Sequence, residues 1–191
     1  MTKTEICNRA LAVLGHDRTI MDFDTDDSTE ALRCRLFFDN AYLNVLASHN
    51  WDFAAVERPF RLSWRNGQGY ASIVRPADCA KLVSVESEDE KPIKVKQANG
   101  ILYVKDGDAE SYVTMRWIST DTAMEDWPNA FAEAVVYELA AQLSGPMFGD
   151  ASKTNGYMQM AQQKLSIAVT SETNETACKG ETSNPFLEAR K

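Results

Sequence analysis

The chain has 191 residues, 20 basic and 28 acidic, for a net charge of −8; 44% of residues are hydrophobic and 25% charged. That is the balance of an ordinary folded domain, and a chain this long buries roughly 70% of its unfolded surface, so it needs no disulfide or metal staple. The acidic excess disfavours non-specific DNA binding, and no apolar run is long enough for a transmembrane helix.

Four cysteines, Cys7, Cys34, Cys79 and Cys178, are scattered singly with no CxxC pair. They read as reduced thiols of a protein made in the cytoplasm. The opening Met-Thr-Lys-Thr-Glu runs straight into an amphipathic segment and does not read as a secretory signal.

Thr4 to Leu14 has helical spacing, with Ile6, Ala10 and Val13/Leu14 on one face and Gly15 as its left-handed stop. An acidic loop follows, Asp17 to Asp27. Asp27-Ser-Thr-Glu30 has capping-box spacing and predicts a second helix from about Ser28 to Ser48. Ala31, Cys34, Phe38, Ala41 and Val45 form one apolar stripe there, and Leu32, Leu36, Leu43 and Leu46 a second beside it. Two adjacent stripes predict burial against more than one neighbour.

From Phe60 the period changes to two: Phe60, Leu62 and Trp64 alternate with Arg61, Ser63 and Arg65, which predicts one strand with a wet face. Asn66-Gly67-Gln68-Gly69 turns the chain into a returning strand, Tyr70 to Val74. Lys81 to Val85 is the next strand. Ile93 to Gln97 and Ile101 to Val104 flank Asn99-Gly100, a two-residue hairpin signal. After Asp106-Gly107-Asp108, Ser111 to Ile118 reads as the third strand of that meander.

Trp127-Pro128 places proline in a first helical turn, followed by Phe131, Val135, Leu139 and Leu143 at helical spacing until Gly145-Pro146. Asp150 caps a fourth helix carrying Tyr157, Met158, Ala161, Leu165 and Ala168. Beyond Thr170 the pattern fades, and Phe186 and Leu187 are the only large apolar residues left. The expectation is an α+β fold: a four-helix bundle from the N-terminal (1–57) and C-terminal (119–170) helices, an inserted antiparallel β lobe (58–118), and an extended or disordered tail (171–191).

Chemical motifs are few. Asp22-x-Asp24-x-Asp26 opens like a calcium loop, but its sixth position is Asp27 instead of glycine and its twelfth is Arg33 instead of glutamate. His16 and His49 each follow a helix end, outside any HExxH pattern. Glu133 and Glu138 sit about 140° apart around one helix and do not face one cleft. No metal, cofactor or catalytic residue is assigned. Arg58, Arg61, Arg65, Lys94 and Lys96 read as a basic strand face for a subunit contact or for DNA, with Phe60 and Trp64 on the opposite side. Trp51 and Phe53, after the second helix, read as a core plug between helices and sheet.

Four segments, in this order, resemble the head-to-tail adaptors of short-tailed bacteriophages, the tail tubular protein A or packaged-DNA stabilisation family. They are Glu5 to Gly15, His49-Asn-Trp-Asp-Phe-Ala54, Pro76-Ala-Asp-Cys79, and Trp127-Pro-Asn-Ala-Phe131 leading into Val136 to Ala141. The resemblance covers about residues 3 to 170. Where the family shows His-Pro-Trp this chain has His49-Asn50-Trp51, which touches only the rigidity of that turn.

The resemblance implies a non-enzymatic virion protein at the portal vertex. There a ring of subunits, dodecameric like the portal, extends the DNA channel, retains packaged DNA without reading its sequence, and offers a platform for the tail nozzle or other tail proteins. It also implies that the C-terminal segment, with Asn184, Pro185, Phe186, Leu187 and Arg190, grips the portal or a neighbouring subunit. Two alternatives come from other classes: a peptidoglycan-degrading, muramidase-like virion hydrolase using Glu133, and a nucleic-acid-binding module using the Arg58 to Arg65 strand.

Overall fold

The computed structural model describes residues 1–65, 70–105 and 111–180. It is a mixed α+β fold in two compact units: one takes Met1–Asp52 and the chain from Ala123 onward, the other Phe53–Thr122. Four helices lie in the first unit and two small antiparallel sheets in the second.

Helix α1 (Lys3–Val13) opens on a reciprocal cap. Thr2 Oγ1 accepts from the Glu5 N–H at 3.2 Å, and the Glu5 carboxylate accepts from the Thr2 N–H at 2.7 Å. The capping box of this chain is therefore Thr2-x-x-Glu5. The spacing Asp27-x-x-Glu30 does not form one, because Asp26 Oδ1 takes the Ser28 N–H at 2.8 Å and turns the chain. Ser28 is left to cap helix α2 (Thr29–Ser48), its Oγ accepting from the Ala31 N–H.

Helix α3 (Asn129–Phe148) is apolar nearly all round and packs against α1, α2 and α4. It does not stop at Gly145-Pro146 as the sequence suggests. Gly145 has no Cβ to clash with the proline ring, so the helix continues to Phe148 and ends at Gly149, φ 61°. Helix α4 (Ala151–Gly180) starts on Asp150, whose Oδ1 accepts from the Ser152 and Lys153 N–H groups at 2.8 and 3.3 Å.

Helix α4 also overruns the expected end at Thr170, so residues 171–180 are helical and not extended tail. The reason is Glu172. It falls one turn beyond buried Ala168, is itself buried, and accepts from the Asp52 N–H at 2.6 Å. That contact continues the inward face with a charged group, which an apolar pattern does not register.

The first unit centres on an aromatic cluster. Phe131 is fully buried and meets Trp51 and Trp127 edge-on, with ring centroids 5.0 and 5.1 Å apart. Tyr42 stacks flat on Trp127 at 4.9 Å, and His49 lies edge-on to Trp51. The Trp51 indole N–H donates to the Val45 carbonyl at 3.1 Å, so its one polar atom is satisfied inside the core.

In the second unit, β1 (Ala55–Arg61), β7 (Tyr112–Ser119) and β4 (Cys79–Ser87) form one sheet in the order β1-β7-β4. The other sheet contains β2 (Ser63–Arg65), β3 (Tyr70–Val74), β5 (Val95–Ala98) and β6 (Ile101–Lys105) in the order β2-β3-β6-β5. One core serves both sheets, from Ala71, Ile73, Leu102 and Val104 to Val113, Met115 and Trp117. Asn99 and Gly100 both adopt positive φ, the hairpin geometry that their pairing predicts.

Two strand expectations are corrected. The run from Phe60 to Arg65 is not one strand, because Leu62, 2% exposed with its N–H bonded to the Ser111 carbonyl, carries the chain from the first sheet to the second. Strand β7 does not extend the β5–β6 meander; it is the middle strand of the other sheet. Asp78 helps hold it there. Its Oδ2 accepts from Ser119 Oγ at 2.6 Å and Trp117 Nε1 at 3.2 Å. The Ser119 hydroxyl first, then the indole and the Arg58 charge, hold this carboxyl below its ordinary value. The turns expected at Asn66–Gly69 and Asp106–Asp108 lie outside the described residues.

Phe131→Ala should lower the unfolding free energy of the helical unit by about 3–5 kcal/mol in denaturant titration, the cost of an aromatic cavity. Asp78→Ala should cost the β unit about 1–2 kcal/mol by the same measurement, since the pair of bonds is charge-assisted but half exposed.

Candidate interaction face

The acidic loop is organised by its own carboxylates. Asp22 Oδ1 accepts from the Asp24 and Thr25 N–H groups and from Thr25 Oγ1, at 2.8–3.0 Å. Asp26 accepts from the Met21 and Ser28 N–H groups, both at 2.8 Å. Arg35 donates to the Phe23 and Asp26 carbonyls, joining the loop to α2. These oxygens face backbone donors and the Thr25 hydroxyl, and no metal-holding cluster of His, Cys, Asp or Glu occurs among the described residues.

The five basic positions do not come together. Arg58 and Arg61 are on β1 of the first sheet. Arg65 and Lys96 lie on β2 and β5, the two opposite edges of the second, and Lys94 precedes β5. The Lys96 ammonium sits 5.3 Å from the centre of the Tyr70 ring. Arg58 and Arg61 also differ in parity along β1, so even this pair is not one face.

Glu133 and Glu138 likewise point away from each other. Glu133 pairs with Arg9 of α1 and, at 3.8 Å, with Lys164 of α4. Glu138 accepts from Asn44 of α2 at 3.0 Å and from Gln142 at 2.9 Å. Both carboxylates work as helix-to-helix ties. Among the thiols, Cys7 and Cys34 are fully buried and face each other. The contact with Cys34 and then burial push the Cys7 thiol far above its ordinary range, so it stays protonated.

Among the described residues, the helical unit leaves the second stripe of α2 exposed. Leu36 is 73% exposed, Leu32 54% and Leu43 42%; of the four leucines expected to be buried, only Leu46 is. The first stripe is buried, with Ala31, Cys34, Phe38, Ala41 and Val45 inward. The sequence held one signal of this: exposed Asp39 lies in the leucine stripe between Leu36 and Leu43. A second exposed apolar pair, Met160 and Ile167, sits two turns apart on one face of α4.

The C-terminal residues Asn184, Pro185, Phe186, Leu187 and Arg190 lie outside the described residues. No helix of the described residues is long and apolar enough to cross a membrane. Neither the known family models nor the curated proteins contain a match to this chain.

The loop carries a pH dependence of fixed sign. Asp22 is held below the ordinary aspartate value of 3.8 by Thr25, through its hydroxyl and N–H, and Asp26 by the Met21 and Ser28 N–H groups. A lowered folded value contributes order that is complete above 3.8 and lost as the pH falls through the folded value. Amide protection factors at residues 21–28, taken against the intrinsic exchange rate at each pH, should therefore fall on acidification below that point, and Asp26→Asn should show the lower protection already at neutral pH.

Proposed function

We propose that this chain is a head-to-tail connector subunit of a short-tailed phage particle. In this reading four helices form a bundle with the antiparallel β region inserted in it. Copies of the chain form a ring, dodecameric like the portal, at the portal vertex. The ring extends the DNA channel, retains the packaged genome and carries the tail nozzle or other tail proteins. The role is structural and involves no catalysis, cofactor or membrane anchor.

The observation that carries the reading is the uncovered leucine stripe on α2: a helix with two apolar flanks, of which its own fold covers one, is built for assembly. The segments that carry the resemblance support it. His49-Asn-Trp51 and Trp127 to Phe131, far apart in sequence, form a single aromatic cluster. Glu5 to Gly15 is α1 with its stop, and Pro76 to Cys79 holds the Asp78 tie to β7. The four segments therefore each have a structural task, in the order the resemblance requires. A net charge of −8 suits a channel through which DNA slides without sticking.

The test is size-exclusion chromatography with light scattering of the protein mixed with purified portal rings. The full chain should co-elute with portal as a ring, and a chain ending at residue 180 should lose at least tenfold in apparent affinity, because the segment with Phe186 and Leu187 is its proposed grip. Absence of co-elution at micromolar protein would remove the connector reading.

A further inference from the structure

Helices α1 and α2 run antiparallel along a ladder of side-chain contacts. At the start of α1 the Lys3 ammonium lies 5.1 Å from the centre of the Phe23 ring and 5.5 Å from that of Phe38 on α2. Past the end of α1, His16 Nε2 lies 3.5 Å from the carboxylate of Glu30, in the first turn of α2. Position 7 is one turn up α1 from Lys3, and position 34 is one turn down α2 from Phe38. Both steps lead to a cysteine, so the rung between the two observed ones is Cys7 opposite Cys34.

Both cysteines are fully buried. The segment between the helices is fastened around them. Asn8 bonds the N–H and the carbonyl of Ile20 at 2.7 and 3.0 Å, Thr4 Oγ1 accepts from the Phe23 N–H at 3.0 Å, and Arg35 donates to the Phe23 and Asp26 carbonyls. The two thiols are thus held side by side by contacts in which they take no part. Contact with Cys34, then burial, also raise the Cys7 thiol far above its ordinary range, as befits neighbours in an apolar site.

We propose that Cys7 and Cys34 are a redox site: they close to a disulfide joining α1 to α2 when the chain meets a small disulfide oxidant of the glutathione class. One cysteine, a thiolate after local opening of α1, attacks a sulfur of the oxidant, giving a mixed disulfide and releasing one half as thiolate. The second cysteine gives up its proton and attacks the protein sulfur of the mixed disulfide, forming the Cys7–Cys34 bond and releasing the other half. Two electrons and two protons have then passed to the oxidant, which leaves as two thiols. A reducing cytoplasm keeps the pair open; oxidation ties the N-terminal helix to α2 and closes residues 7–34 into a covalent ring. The inference rests on the packing of the helical unit and is independent of the connector reading.

The experiment dialyses the unfolded full chain into buffers of graded glutathione to glutathione disulfide ratio, with and without denaturant. Acid quench, thiol alkylation and peptide mapping by mass spectrometry follow. In native buffer Cys7 and Cys34 should be linked to each other, with the circular dichroism of the reduced chain retained. The equilibrium constant for their disulfide should exceed that in denaturant by roughly a hundredfold, since a bond that favours the fold is favoured by it to the same extent. The double variant Cys79→Ser, Cys178→Ser should form the same link.

A native equilibrium constant no higher than that in denaturant overturns the inference. So does native pairing of Cys7 or Cys34 with Cys79 or Cys178, or a linked chain that has lost its helical signal.

Discussion

The helical unit depends on the burial of Phe131. Its ring takes edge contacts from Trp51 and Trp127, and Tyr42 stacks on the second of these, so α3 is joined to the end of α2 and to the turns on either side of the β unit. Edge-to-face packing satisfies the positive rim and negative face of each ring at once, which a flat stack of four could not do. The Trp51 indole adds a bond to the Val45 carbonyl, fixing where α2 must end. The chain then leaves the helices at Asp52, whose N–H is held by Glu172, so the last turns of α4 are anchored by the same junction.

Around that core, polar residues tie one element to another. Glu133 joins α1 and α4 to α3, and Glu138 with Asn44 and Gln142 joins α2 to α3. Asp78 does the same for β4 and β7 in the second unit. The loop carboxylates and Asp78 are also held by fixed donors, which favour the charged form and shift the carboxyl pKa. For Asp22, Asp26 and Asp78 the direction is downward in each case.

The exposed leucines of α2 follow from the same economy of neighbours. Helix α3 is surrounded and takes the inner stripe of α2; the other helices pack on α3 elsewhere, so among the described residues the outer stripe is left exposed. Leaving three leucines in water is unfavourable by the ordinary hydrophobic increment, which an assembly contact of the proposed kind would recover.

Much of this molecule was fixed locally. Period-3.6 and period-2 patterning placed four helices and the β region, Asn99-Gly100 set its hairpin, and Gly15 and Asp150 marked helix ends, because each of these is decided by backbone geometry within a few residues. Tertiary structure decided the rest. A strand's alternation looks the same whichever sheet it joins, so the crossing at Leu62 and the central place of β7 were invisible until pairing partners were known. A charged residue leaves no apolar signal, so the buried Glu172 and the ten residues of helix after Thr170 went unread. An apolar stripe states that burial is wanted without naming the surface that supplies it, and only the packing of α3 showed that Leu32, Leu36 and Leu43 stay exposed among the described residues.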